Sequence, residues 1–170
     1  MKIRLLLMAV VSLISISVSS QIRKNVLGLT LGATSKTEAT NYLRNNQIRY
    51  STNNEGELIA EYVKFGGHTW LVTYFTFYNG KLYCIDFRDN TDHTPKSTMD
   101  IVYNKIKDNL LDKYSNYAQT FQPCYIEFSD NTMKLMLDYR DDDFPGRSLS
   151  LMYIYLPLLQ KMVTDDKNEL

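Results

Sequence analysis

Two cysteines, two histidines and two acidic runs are the residues of this 170-residue chain whose types and spacing could do chemistry. A bridge between Cys84 and Cys124 would contribute about 4 kcal/mol in an oxidising compartment. The other reading is a pair of unpaired, half-buried thiols, and the residues leave both open. His68 and His93 stand alone, without a second His or a Cys at ligand spacing, so no metal site is expected. His93 beside Asp92 reads as a loop residue. The acidic runs Asp86 to Asp92 and Asp138 to Asp143 lack the alternating carboxylates and following glycine of a helix-flanked calcium loop. They read as solvated strand-end turns. There is no Gly-x-Ser-x-Gly elbow, no His-Glu-x-x-His and no Gly-rich phosphate loop. The one catalytic arrangement the residues allow is a Cys and His pair brought together by folding. No catalytic residue and no cofactor is assigned.

The aromatic residues carry the remaining signal. Tyrosine outnumbers phenylalanine 13 to 7. A purely buried core favours Phe because each buried phenol needs a partner, whereas amphipathic rings suit a surface that is sometimes wet and sometimes covered. Alternation across the Asn79-Gly80 turn places Trp70, Val72, Tyr74, Tyr78, Tyr83, Ile85 and Phe87 on one face. Leu71, Phe75, Phe77, Leu82, Cys84 and Asp86 fall on the other. With both faces apolar, either both are covered or one binds a partner. Trp70, Tyr74, Tyr78 and Tyr83 are the expected partner-binding residues; the plainer alternative is strand tyrosines at a sheet margin. Glu57 and Glu61 in the preceding strand favour the opposite facing, which a bulge at Gly66-Gly67 would reconcile.

The elements that must position these residues are legible from caps, turns and periodicity. Ser35-Lys36-Thr37-Glu38 is a capping box that predicts a helix from about 36 to 46. Strand-like runs follow at Glu57 to Phe65, Thr69 to Tyr78 and Lys81 to Arg88, separated by Gly66-Gly67 and Asn79-Gly80 turns. A second helix is expected after Ser97 or Thr98, with Ile101, Val102, Lys105, Ile106, Leu110 and Leu111 forming its stripe. Further strands are expected at Tyr117 to Phe121, Cys124 to Ser129, Met133 to Arg140 and Ser148 to Leu156. In the hairpin these contain, Cys124, Ile126, Phe128, Met133, Leu135 and Leu137 share a dry face, and Glu127 falls opposite Lys134. The order is helix then strand meander, twice. Asp86-Phe87-Arg88-Asp89 and Asp138-Tyr139-Arg140-Asp141 echo one another over four residues, in keeping either with a duplication over 26–89 and 97–156 or with chance similarity of strand ends.

Residues 1–20 read as a secretory signal: Lys2 and Arg4 precede the apolar run Leu5 to Ile16, and Val18-Ser19-Ser20 is a small-residue cleavage site. No cysteine follows to take a lipid anchor. After Ser20 the chain carries 17 basic against 19 acidic residues and is mildly acidic, so nonspecific nucleic-acid binding is disfavoured. No later stretch has the ~20 apolar residues of a membrane span. Composition, 44% hydrophobic and 22% charged, is that of one globular domain over 21–156, followed by a polar tail at 157–170.

The segment Val26-Leu27-Gly28-Leu29-Thr30-Leu31-Gly32-Ala33-Thr34-Ser35-Lys36-Thr37-Glu38-Ala39 resembles the opening of β-lactamase-inhibitor-protein-like and outer-membrane-lipoprotein A (SmpA/OmlA-type) domains. Phe77-Tyr78-Asn79-Gly80-Lys81-Leu82 looks like their hairpin. The resemblance implies helices on one face of an antiparallel sheet, with the other face or its loops binding another protein.

The expected fold class is α+β, helices packed on one face of an antiparallel sheet in a tandem helix-plus-meander arrangement. The expected function is a periplasmic or extracellular, non-enzymatic, inhibitor-like protein-binding module. The expected partner is another protein, with no nucleic acid and no stable membrane insertion. The alternatives are a small hydrolase with an inconspicuous site and an immunity protein against a periplasmic toxin.

Overall fold

The computed structural model describes residues 21–90, 94–141 and 147–168. The expected signal segment, His93, Asp92 and the acidic residues 142–143 lie outside the described residues. A two-residue turn joins the short strands β1 (Asn25–Val26) and β2 (Leu29–Thr30). Leu27 and Gly28 at its centre both have positive φ, the backbone of a type I′ turn. Helix α1 (Lys36–Asn45) then starts at the expected capping box: Ser35 accepts from the Glu38 amide at 3.2 Å, and Glu38 accepts from the Ser35 amide at 2.7 Å.

Four strands follow, β3 (Tyr50–Thr52), β4 (Leu58–Phe65), β5 (His68–Tyr78) and β6 (Lys81–Asn90). After α2 (Lys96–Tyr114) come four more, β7 (Ala118–Gln122), β8 (Tyr125–Ser129), β9 (Met133–Asp141) and β10 (Arg147–Tyr155). The two antiparallel meanders join through their last strands, giving one eight-stranded sheet in the order β3-β4-β5-β6-β10-β9-β8-β7. The fold is α+β, with helix then meander occurring twice. Because β6 and β10 pair with each other, only the short strands β3 and β7 are left as edges of this sheet.

One core lies between the sheet and the two helices. Ala39 and Leu43 of α1 and Met99, Tyr103, Ile106, Leu110 and Tyr114 of α2 pack on Trp70, Phe75, Phe87, Ile126, Phe128, Leu135 and their neighbours. The buried stripe of α2 is therefore rotated from the expected one, and Ile101 is 69% exposed. Tyr103 makes that rotation possible: its hydroxyl donates to the Pro123 carbonyl at 3.1 Å, so a phenol can take an inward position. The helix starts on the carbonyl of Pro95, which accepts from the Thr98 and Met99 amides, and neither Ser97 nor Thr98 caps it.

The first meander departs twice from simple alternation, and neither irregularity is at Gly66-Gly67. Those two glycines, both at positive φ, form a tight turn between the paired Phe65 and His68. Tyr62, also left-handed at φ 56, breaks the alternation of β4, so Leu58, Ala60 and Val63 are all buried. Tyr83 is an extra residue opposite Thr76 and Phe77, and this bulge puts Leu82 and Ile85 on the same face. In the second meander Ile126, Phe128, Met133, Leu135 and Leu137 share the buried face as expected. Cys124 does not join them, being exposed in the β7–β8 turn. Lys134 pairs in register with Ser129 and reaches diagonally to Glu127 at 2.9 Å.

Two further segments differ from expectation. The region from 157, expected as a polar tail, belongs to helix α3 (Leu156–Asn168), which contacts β5, β6 and β10. Pro157 in its first turn, followed by Leu158, Leu159 and Met162, is the signal for it. The four-residue echo joins β6, the fourth strand of its meander, to β9, the third strand of the other, so it does not mark equivalent positions.

Asp130 ties the start of the described chain to the β8–β9 turn. Its Oδ1 accepts from the Thr132 and Met133 amides, each at 2.7 Å, and its Oδ2 from the Ile22 amide at 3.0 Å. Burial pulls this carboxyl up, but the amides and the Thr132 hydroxyl outweigh burial and hold it below the usual aspartate value. Asp130→Ala is expected to cost about 3 kcal/mol at neutral pH, the loss of four charge-assisted bonds. A carboxyl depressed by folding contributes stability above its unfolded pKa of about 4 and loses it as pH falls through the folded value. Urea unfolding of wild type and variant should show the widest gap at pH 7 and a shrinking one below about pH 4.

Candidate functional site

The face of the sheet turned away from α1 and α2 is built from the alternate residues of the strands, so its make-up follows from register. One row across it runs Ile59, Tyr74, Asp86, Met152, Met136 and Glu127. The next runs Glu61, Val72, Arg88, Ser150, Asp138 and Tyr125. Most of these side chains are half-buried, as expected of a sheet face whose neighbours shade one another.

At its centre the Arg88 guanidinium lies over the Tyr74 ring, 4.8 Å from the centroid. Asp86 holds it there through Nη2 at 2.5 Å and Nε at 2.6 Å. Within this ion pair the carboxylate is the buried member, its side chain 4% exposed against 44% for Arg88. Desolvation pushes Asp86 up, Arg88 pulls it down and Glu57 adds to the rise, leaving it above the usual aspartate value. The second oxygen of Asp86 has no hydrogen-bond partner. Nearby, the Thr76 hydroxyl donates to Glu57 at 2.7 Å. Met152 and Met136 sit directly opposite each other beside this cluster. On its far side Tyr125 donates to Glu127 at 2.6 Å, and burial followed by that bond pushes its phenol up to about 12.

Of the four expected partner-binding residues, only Tyr74 lies in this central row. Trp70 is fully buried in the core beside Phe87, and its indole N–H donates to the Phe65 carbonyl at 3.2 Å. It cannot present a surface in this fold, because the break in alternation at Tyr62 returns it to the helix side. Tyr78, at the end of β5, donates to Asp165 of α3, a bond that pushes its phenol up to about 12. Tyr83 is the half-buried bulge residue. The residues that the aromatic count did not single out are Arg88, Asp86, Met136 and Met152. An Asp-x-Arg spacing within a strand, with Phe87 or Tyr139 between, places both charges on the face opposite the aromatic. It occurs twice, and Arg140 bonds Asp138 at 3.0 Å.

The remaining reactive groups are occupied structurally. Asp86 and Asp89 are buried within β6 and are not solvated turn residues. Asp89 accepts from the Leu71 amide at 2.7 Å and contacts His68 Nε2 at 2.5 Å, where β5 changes facing. Both cysteines are free. Cys84 and the β7–β8 turn that carries Cys124 are separated by at least three strand spacings, about 14 Å, beyond the reach of a disulfide. Burial, with Asp86 adding to it, pushes the Cys84 thiol up, away from a reactive thiolate. Among the described residues no group of three His, Cys, Asp or Glu could hold a metal ion.

No protein-family model, curated protein or solved structure matches this chain.

Proposed function

We propose that the face turned away from α1 and α2 binds another protein, making the chain an inhibitor-like binding module of the periplasm or extracellular space. The observation that supports this reading is the Tyr74–Arg88 stack, held in place by buried Asp86 with Met136 and Met152 alongside. Tyr, Arg and Met are the side chains enriched where proteins meet, and Tyr and Arg dominate hot spots. Arg88 is already oriented by its ion pair, so a partner would lose little side-chain entropy in engaging it. Residues 1–20, with their basic start, apolar run and small-residue junction, support export. None of the described helices is long and apolar enough to cross a membrane.

The test is capture by the tagged protein from cell-envelope and supernatant extracts, followed by affinity measurement on the recovered partner. Tyr74→Ala and Arg88→Ala should each weaken binding about 30-fold, the size of a hot-spot residue. Tyr74→Ala should change the unfolding free energy by under about 1 kcal/mol, because its side chain sits outside the core, whereas Arg88→Ala leaves the buried Asp86 carboxylate without its cation and should cost about 3 kcal/mol. Undiminished binding by both variants would place the interface elsewhere and end this reading.

A further inference from the structure

On the opposite, helix-covered side, a crevice of about 260 Å³ opens between α2 and the β4–β5 turn. Phe65, Ile106, Leu110 and Leu151 make its apolar walls, and Tyr114 and Tyr153 also line it. Tyr153 is 95% buried by its 5% exposure, yet no described residue hydrogen-bonds its hydroxyl. A phenol buried that deeply ordinarily finds a partner. Burial raises the Tyr153 pKa, the neighbouring Tyr114 phenol adds to the rise and Arg23 opposes it. Lys113 brings a cation to the lining. The crevice thus has an apolar body, a hydroxyl without a protein acceptor on the largely buried Tyr153, and one cation, Lys113, in its lining.

We propose that this crevice binds a small amphiphile whose apolar body lies between Phe65, Ile106, Leu110 and Leu151 and whose carboxylate accepts the Tyr153 hydroxyl. The volume sets the size: an apolar cavity of about 150 Å³ takes a benzene, so 260 Å³ suits about ten heavy atoms. A medium-chain carboxylate has that size and charge. The site is separate from the proposed protein-binding face and does not depend on it.

Octanoate is the probe, titrated into the full chain and followed by methyl NMR at Ile106, Leu110 and Leu151, with 1-octanol as its uncharged counterpart. Saturable binding is expected, with the shifts confined to those three residues and octanol binding about tenfold weaker. Tyr153→Phe keeps the ring and removes one oxygen, so the walls stay intact; it should weaken octanoate about tenfold, the worth of one charge-assisted hydrogen bond. Three results would each overturn the proposal. They are an absence of saturation at several millimolar octanoate, shifts that map to another surface, and Tyr153→Phe binding octanoate as wild type does. Octanol binding as tightly as octanoate would remove the carboxylate from the assignment.

Discussion

Trp70→Ala is expected to destabilise the protein by about 4 kcal/mol, read as a fall in the urea unfolding midpoint at unchanged slope. The indole is wholly buried, lies 5.6 Å from Phe87 and 5.0 Å from His68 between ring centroids, and donates its N–H to the Phe65 carbonyl. Alanine would leave a cavity and strip that carbonyl of its donor, two losses that add. The comparison with Tyr74→Ala makes the result decisive. Both are aromatics of β5, four residues apart, and on simple alternation they share a face. In this fold one is core and the other surface, so their costs should differ several-fold. Equal costs would mean that the change of facing at Tyr62 and Leu71 is wrong.

Gly32→Ala is expected to cost about 3 kcal/mol. Gly32 has φ +85, where an alanine is strained by roughly 1–2 kcal/mol. An added Cβ would also lie 2.6 Å from Tyr155 Cε1 and 2.8 Å from Cδ1, inside the ring's contact distance. The backbone cannot easily yield, because the Gly32 amide donates to the Leu82 carbonyl at 2.7 Å and Leu82 in turn bonds Thr34. Overpacking of this kind adds roughly 1–3 kcal/mol. Gly28 is the internal control: its φ is +79, but nothing lies within 4 Å of its added Cβ. Gly28→Ala should therefore show only the conformational part, about 1 kcal/mol. Thermal or urea unfolding of the pair separates the two contributions, and equal losses would remove the Tyr155 contact from the explanation.

The local pieces are legible in the amino-acid order, because the interactions that decide them span only a few residues. The capping box at Ser35 and Glu38 places α1, the Asn79-Gly80 pair turns β5 into β6, and alternation over 125–137 separates the buried from the open side of β8 and β9. The order of helix and meander, repeated, is likewise legible, because turn chemistry and periodicity are local properties.

Which way the first hairpin faces was decided by tertiary structure alone. Alternation counts residues, and one left-handed residue at Tyr62 or one extra residue at Tyr83 reverses every assignment beyond it. Those reversals are stable because distant groups accommodate them: the Asp89 carboxylate takes up the Leu71 amide 18 positions away, and α1 and α2 supply the core that receives Trp70 and Leu82. The same reversal put Trp70 in the interior and left Tyr74 beside Arg88. The row Tyr74, Asp86, Met152, Met136 joins residues 74 to 152 through three strand pairings, and the central pairing of β6 with β10 carries no turn to announce it. Pattern within a strand reports what is apolar. The long-range pairing of the two meanders decides which of those residues meet.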